Sequence, residues 1–243
     1  MKVRRSVGSV GKEGRHAEDL GRQQLPQALA EVCLIAAPLV LGVSDLIRIW
    51  VEGGAQGIRD QLDLIAASPG AWQVATILNM LGIILFVPAA MGLLHLLCDR
   101  GVVLGHIGGA LLLIGLVGLA AHNSGYYGTL AAASDPGIDK EQMVRFILIT
   151  ETIPGNLLWV IVFLTGNVFG TFFLGLGLFW ARIVPRWTSV LIVLSVVVSF
   201  LAQDGLLVPL ISSLLGLGGF GTIGLMLLRE SDTEWAKHAG LSA

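Results

Sequence analysis

The chain has 243 residues, of which 54% are apolar and 13% charged, about half the charged share of a soluble domain. So little polar surface cannot cover a water-soluble globule, and the mean hydropathy of +0.80 agrees; lipid must be the solvent. The net charge of −2 conceals an uneven distribution of basic residues.

Lys2, Arg4, Arg5, Lys12, Arg15 and Arg22 place six of the fifteen basic residues in the first 25 positions. No aromatics interleave them and no folded motif contains them, so nucleic acid is not the expected partner. Ahead of a first membrane span they act as an orientation signal that also favours anionic lipid. The apolar run that follows is too long for a leader h-region, and no small-residue cleavage site leads into soluble sequence. A cleavable signal peptide is therefore not expected.

A spanning helix needs about 20 apolar residues. Six segments qualify in chain order: 28–50, 72–97, 101–121, 155–181, 187–203 and 205–228. The expected fold is all-α, a polytopic six-span transmembrane bundle over 27–229, between a basic tail (1–26) and a C-terminal tail (230–243). With both tails in the cytoplasm, inner segments hold eleven basic residues, while Arg48, Arg59, Lys140 and Arg145 fall outside. That satisfies the positive-inside rule at every loop and points to a cell membrane of the bacterial inner-membrane type.

The connections have content of their own. Within 52–70, Ile58, Leu62 and Ile65 recur at helical spacing with Arg59, Asp60 and Asp63 between them, which predicts a short amphipathic helix on the outer interface. The segment 122–139 reads as a loop carrying His122, Asn123, Ser124, Tyr126 and Tyr127, closed by the turn Asp135-Pro136-Gly137. Its tyrosines equally suit an interfacial aromatic belt. Asp139 followed by Gln142 resembles a capping box, so 140–152 is expected to be an interfacial helix, interrupted by Pro154-Gly155 before the fourth span. Spans two and three, and spans four and five, form hairpins of the same out-in-out direction, the arrangement of parallel repeats.

Small-residue pairs, Gly105 with Gly109, Gly166 with Gly170, and Ser212 with Gly216, let helix backbones approach closely in lipid. They favour packing within the bundle over a homo-oligomeric face. The glycines from Gly216 to Gly224 lie inside a span and cannot form a phosphate loop. Cys33 and Cys98 lack the number and spacing of a disulfide framework or zinc site and read as small buried hydrophobes.

Ionisable and amide side chains are expensive in lipid and are functional candidates for that reason. Asp45, Arg48, Asn79, His122, Asn123, Glu151, Asn156, Gln203 and Asp204 all fall in the outer half of the bilayer or at its outer surface. The inner half holds chiefly His95 and His106. Each outer residue also has a structural use: Asp45 and Arg48 neutralise each other at i, i+3, Glu151 complements a helix dipole, and Gln203-Asp204-Gly205 makes a tight turn. Together, Asp45, His122, Glu151 and Asp204 would ring an outward pocket for a polar or cationic head group, or perform acid–base chemistry there. Asn79, Asn123, Tyr126, Asn156 and Gln203 would line that pocket, and Asn167 would form its floor or bond a neighbouring helix. His95 and His106 flank one inner turn and are an available haem or metal pair, but without supporting ligands no cofactor is expected.

The whole chain resembles uncharacterised bacterial six-span integral membrane proteins, which share its charged N-terminal tail and glycine-rich spans. The resemblance implies the bundle and carries over no site residue. Three functions stay open: binding or moving a small amphipathic molecule, an embedded acid–base enzyme of the cyclase or isomerase type acting on a lipid or isoprenoid-like substrate, and a structural accessory subunit. Membrane lipids are the expected surroundings in each case.

Overall fold

The computed structural model describes residues 10–97, 103–201 and 207–229, with side chains from residue 28 onward and not at 200 and 201. Every regular element among them is a helix: α1 (Val10–Glu52), α2 (Ile58–Ala67), α3 (Pro69–Leu97), α4 (Val103–Ala133), α5 (Lys140–Thr152), α6 (Pro154–Ala181), α7 (Arg186–Leu201) and α8 (Leu207–Leu227). Long apolar runs leave the backbone no partner but itself, so helices are the form they take in lipid.

Five of these helices are long and apolar enough to cross a membrane: residues 28–52 of α1, then α3, α4, α6 and α8. The fifth apolar segment of the sequence is shorter than the others. α7 has 16 described residues, up to Leu201 where the described segment ends, or about 24 Å of rise against the roughly 30 Å of a hydrocarbon core. The exposed Trp159 and Trp180 lie twenty-one positions apart on α6. At 1.5 Å per residue that separation is about 32 Å, matching the two aromatic belts of a bilayer.

Close approaches set the directions. Gly82 of α3 meets Leu41 of α1 and Gly92 meets Ala30, so the two helices are antiparallel. By the same logic α4 runs against α3 (Gly109 on Leu94), α6 against α4 (Gly115 on Gly166, Gly105 on Gly177), and α8 against both α1 and α7. The six helices form a ring in the order α1, α3, α4, α6, α7, α8, closed where Gly175 of α6 meets Val193 of α7. Residue 28 of α1 and the C-terminal end of α8 therefore share one end of the bundle, here the proximal end. Inside the ring, Leu34, Leu93, Leu97, Leu174, Leu178, Ile192 and Ile223 form the main core. Cys33 is buried among them; Cys98 lies outside the described residues.

The α4–α6 crossing is held by backbone contact. A Cβ on Gly115 would sit 2.5 Å from the Asn167 nitrogen and 2.6 Å from the Gly166 carbonyl carbon. Both glycine pairs expected from the sequence are consumed by such packing inside the chain. Gly166 and Gly170 of α6 pack against α4, Gly105 lies against Gly177, and Gly109 lies against Leu94 of α3.

The distal end differs from the sequence reading in two respects. The third span does not end at residue 121: α4 continues to Ala133, so His122, Asn123, Ser124, Tyr126 and Tyr127 occupy helix rather than loop. Gly125 and Gly128 fail to break it because Leu130 and Ala133 are drawn into a second core with Val51, Leu62, Ile65, Trp72 and Ile147. Trp72 Nε1 also donates to the Tyr127 carbonyl at 3.3 Å. For the same reason the apolar face of α2 does not lie on the interface. Leu62 and Ile65 are fully covered by protein.

The turn and the α5 cap form where the residues require them. The Asp135 carboxylate accepts from the Gly137 N–H at 2.7 Å, and Asp139 caps α5 by accepting from Glu141 N and Gln142 N. Ion pairs Arg59–Glu141 and Lys140–Asp63 join α2 to α5 across the distal surface. Both involve exposed side chains, so each stabilises by less than about 1 kcal/mol.

Candidate functional site at the distal end

Three neighbouring groups of polar side chains on α1 to α6 lie in the distal third of the bundle, apart from Ser195, Ser199 and Ser212 of α7 and α8, which bond one another. The deepest is an amide pair: Asn123 Nδ2 of α4 donates to Asn79 Oδ1 of α3 at 2.8 Å, both residues being buried. Next to it, Ser44 of α1 donates to the Ala75 carbonyl at 2.8 Å. These bonds fix the register of α1, α3 and α4. Asn79→Leu is expected to lower stability in detergent by about 1 kcal/mol, because it strands the Asn123 amide. Asn79→Leu/Asn123→Leu should regain much of that loss in a denaturation midpoint measurement.

The second group hangs on Arg48. Its Nη1 bonds Glu52 Oε2 at 2.7 Å and its Nη2 lies 3.9 Å from Asp45 Oδ1. Gln61 Nε2 of α2 donates to the other Glu52 oxygen at 2.5 Å. The Tyr127 hydroxyl lies within electrostatic reach of all three charges. Asp45, Arg48 and Glu52 are spaced i, i+3 and i+7 on one helix face, so helical geometry makes the cluster. The third group surrounds Tyr126. Tyr126 shares the lining of a cavity with Glu151. The His122 ring stacks between Tyr126, at 5.6 Å, and Phe163, at 6.2 Å. His122 Nδ1 is buried and makes no hydrogen bond among the described residues.

A cavity of about 190 Å³ opens beside the third group, between α4, α5 and α6. Gly125, Tyr126 and Thr129 form one wall, and Glu151, Ile153 and Asn156 another. Its lining is apolar in the main, completed by Leu130 and Ile147, and the polar atoms are few. Asn156 Nδ2 donates to the Thr150 carbonyl at 3.4 Å, bracing the break at Pro154 that separates α5 from α6.

The structure therefore brings Tyr126, Glu151 and Asn156 to one cavity, with His122 stacked behind Tyr126. Asp45 belongs to the Arg48 cluster and does not line the cavity. Asn79 and Asn123 bond each other. Asn167 donates to the Phe163 carbonyl of its own helix at 3.2 Å, at the glycine crossing rather than at the cavity. Gln203 and Asp204 lie outside the described residues. His95 and His106 sit near the proximal ends of α3 and α4, and no group of three or more His, Cys, Asp or Glu suited to a metal ion occurs among the described residues.

Three side chains were missed in the sequence. Glu52 was cut off by placing the end of the first span at residue 50, although its i+4 spacing from Arg48 marks it as a partner. Gln61 carries no local signal, since its role depends on α2 folding back over α1. Glu31, 5% exposed on the proximal half of α1, is a buried carboxylate away from the distal end.

These helices define a multi-pass helical membrane protein. No protein-family model, curated protein or solved structure matches the chain.

Proposed function

We propose that this protein binds, and passes on or moves, a small amphipathic molecule with a cationic head group, in the cavity between α4, α5 and α6. The observation that carries the reading is the combination of a largely apolar wall with one carboxylate, Glu151, and two hydrogen-bonding side chains, Tyr126 and Asn156. Ligand sites have that make-up, with apolar surface for affinity and a few polar groups for orientation. Charge selects the sign of the head group. Among the described residues Arg48 is the one cation paired with Asp45 and Glu52, and Glu151 adds a third carboxylate beside Tyr126 at the cavity. In the full reading the bundle has six spans, the basic tail lies in the cytoplasm and the distal cavity faces outward, as the distribution of Lys and Arg favours.

The test is direct binding to purified protein in maltoside micelles, with dodecyltrimethylammonium and dodecyl sulfate as probes. The cationic probe should saturate, and Glu151→Gln should weaken it by about ten-fold, or about 1.4 kcal/mol. Equal affinity for the two probes, or an unchanged Kd in Glu151→Gln, would overturn the reading. Reporters fused to the two termini should both report the cytoplasm.

A further inference from the structure

The cavity lies where the exposed apolar faces of α4 and α6 meet beside α5. α5 forms one wall through Ile147, Thr150 and Glu151; Ile147 is buried in the distal core, and the N-terminal turn of α5 is tied to α2 by Lys140–Asp63 and Glu141–Arg59. The lipid-facing stripes of two helices run into its other walls. Along α4 the exposed Ile107, Ile114 and Val117 continue at helical spacing through Ala121 to Gly125. Along α6 the exposed Leu164, Ile161 and Leu157 continue to Ile153, which is itself 48% exposed. Gly125 and Ile153 both line the cavity.

Depth and size agree with that position. Ile153 lies six positions beyond the belt residue Trp159, about 9 Å along the axis, which is the water edge of the distal headgroup layer, a layer roughly 5–8 Å thick. A Cβ built on Gly125 meets nothing within 4 Å, so the gap beside it is open. At about 190 Å³ the cavity is smaller than the roughly 300 Å³ and upward of sites that enclose a whole small molecule. It has room for a head group and the first few methylenes, and the rest of any chain must lie outside.

We infer that the ligand is a membrane-resident long-chain amphiphile, which enters sideways from the distal leaflet between Gly125 and Ile153. Its head group lies against Glu151, Tyr126 and Asn156, and its chain stays in the bilayer along the exposed faces of α4 and α6. This rests on the cavity being the binding site proposed above, and it adds the class of ligand and the route.

The experiment uses the full chain in liposomes, in a Cys33→Ala/Cys98→Ala background, with a fluorophore on Val117→Cys or, as control, on Ile84→Cys. Ile84 is exposed on α3, and the Asn79–Asn123 bond puts it at nearly the depth of Val117. The probe is hexadecyltrimethylammonium carrying a nitroxide on its chain. Quenching at 117 should exceed quenching at 84 several times over at the same mole fraction. Gly125→Trp, which fills open space and should fold normally, should reduce the excess to the control level. Ile153→Trp provides a second closure should Gly125→Trp elute abnormally. Equal quenching at the two positions while Glu151→Gln still weakens dodecyltrimethylammonium would overturn the lateral route alone. Equal quenching with no effect of Glu151→Gln would overturn the binding site itself. Excess quenching that survives both closures also overturns the route.

Discussion

Gly166→Val is expected to yield no native bundle, whereas Gly125→Ala should fold at least as well as the parent chain. At Gly166 the first atom of any side chain would fall on the Gly115 Cα of α4, with the Gly115 nitrogen at 2.5 Å and the Leu111 carbonyl at 2.7 Å. These neighbours are backbone and cannot rotate away. Overpacking against adaptable side chains costs about 1–3 kcal/mol, and here the only relief is to separate two helices along several turns. The same crossing is used at Gly105 with Gly177, so separating the pair forfeits contacts along its length. The loss should consume most of the roughly 5–15 kcal/mol of an ordinary domain. At Gly125 an added Cβ meets nothing, and alanine should improve helix propensity by about 1 kcal/mol. Elution profile and melting temperature in detergent separate the two outcomes. A monodisperse Gly166→Val with a parental melting temperature would mean that α4 and α6 do not touch through their backbones.

Arg48→Met is expected to be the most damaging change in the polar region. It leaves Glu52 and Asp45 facing each other without a cation, in a site where the Arg48 side chain is 30% and Glu52 15% exposed. Breaking a fully buried pair by removing one partner costs about 3–5 kcal/mol, and an exposed pair is worth at most about 1. The intermediate exposure places the loss near 2 kcal/mol. Gln61 would lose its anchored acceptor, so hydrogen exchange in α2 should rise along with the fall in stability. Arg48→Met/Glu52→Leu should recover part of the loss, because the uncompensated carboxylate is gone. A single variant as stable as the parent chain would show that water, rather than Arg48, satisfies these carboxylates.

The helices of the bundle were legible because their signal is local. A run of about 20 apolar residues can only be helical in lipid, so Pro69–Leu97, Pro154–Ala181 and Leu207–Leu227 lie close to their expected positions. The Asp139 cap and the Asp135 turn were legible for the same reason, being built within four residues. The end of α4 was not. Gly125, Gly128 and the polar residues around them look like a loop, and only burial of Leu130 and Ala133 against α2, α3 and α5 holds the helix together to residue 133.

Candidate residues divide along the same line. Composition alone marked Asp45, His122, Glu151 and the asparagines as costly in lipid, without specifying which would meet. The grouping of Tyr126, Glu151 and Asn156 at one cavity, the bond between Asn79 and Asn123, and the reach of Gln61 to Glu52 all join residues far apart in the chain. Solvent and helix are determined by hydrophobicity summed along a single segment, and the sequence lists that sum in order. Which side chains share a cavity depends on the crossing of α4 with α6 and the folding of α5 over it. Those crossings are decided by backbone fit at Gly105, Gly115, Gly166 and Gly177, a relation between segments that no stretch of the sequence contains.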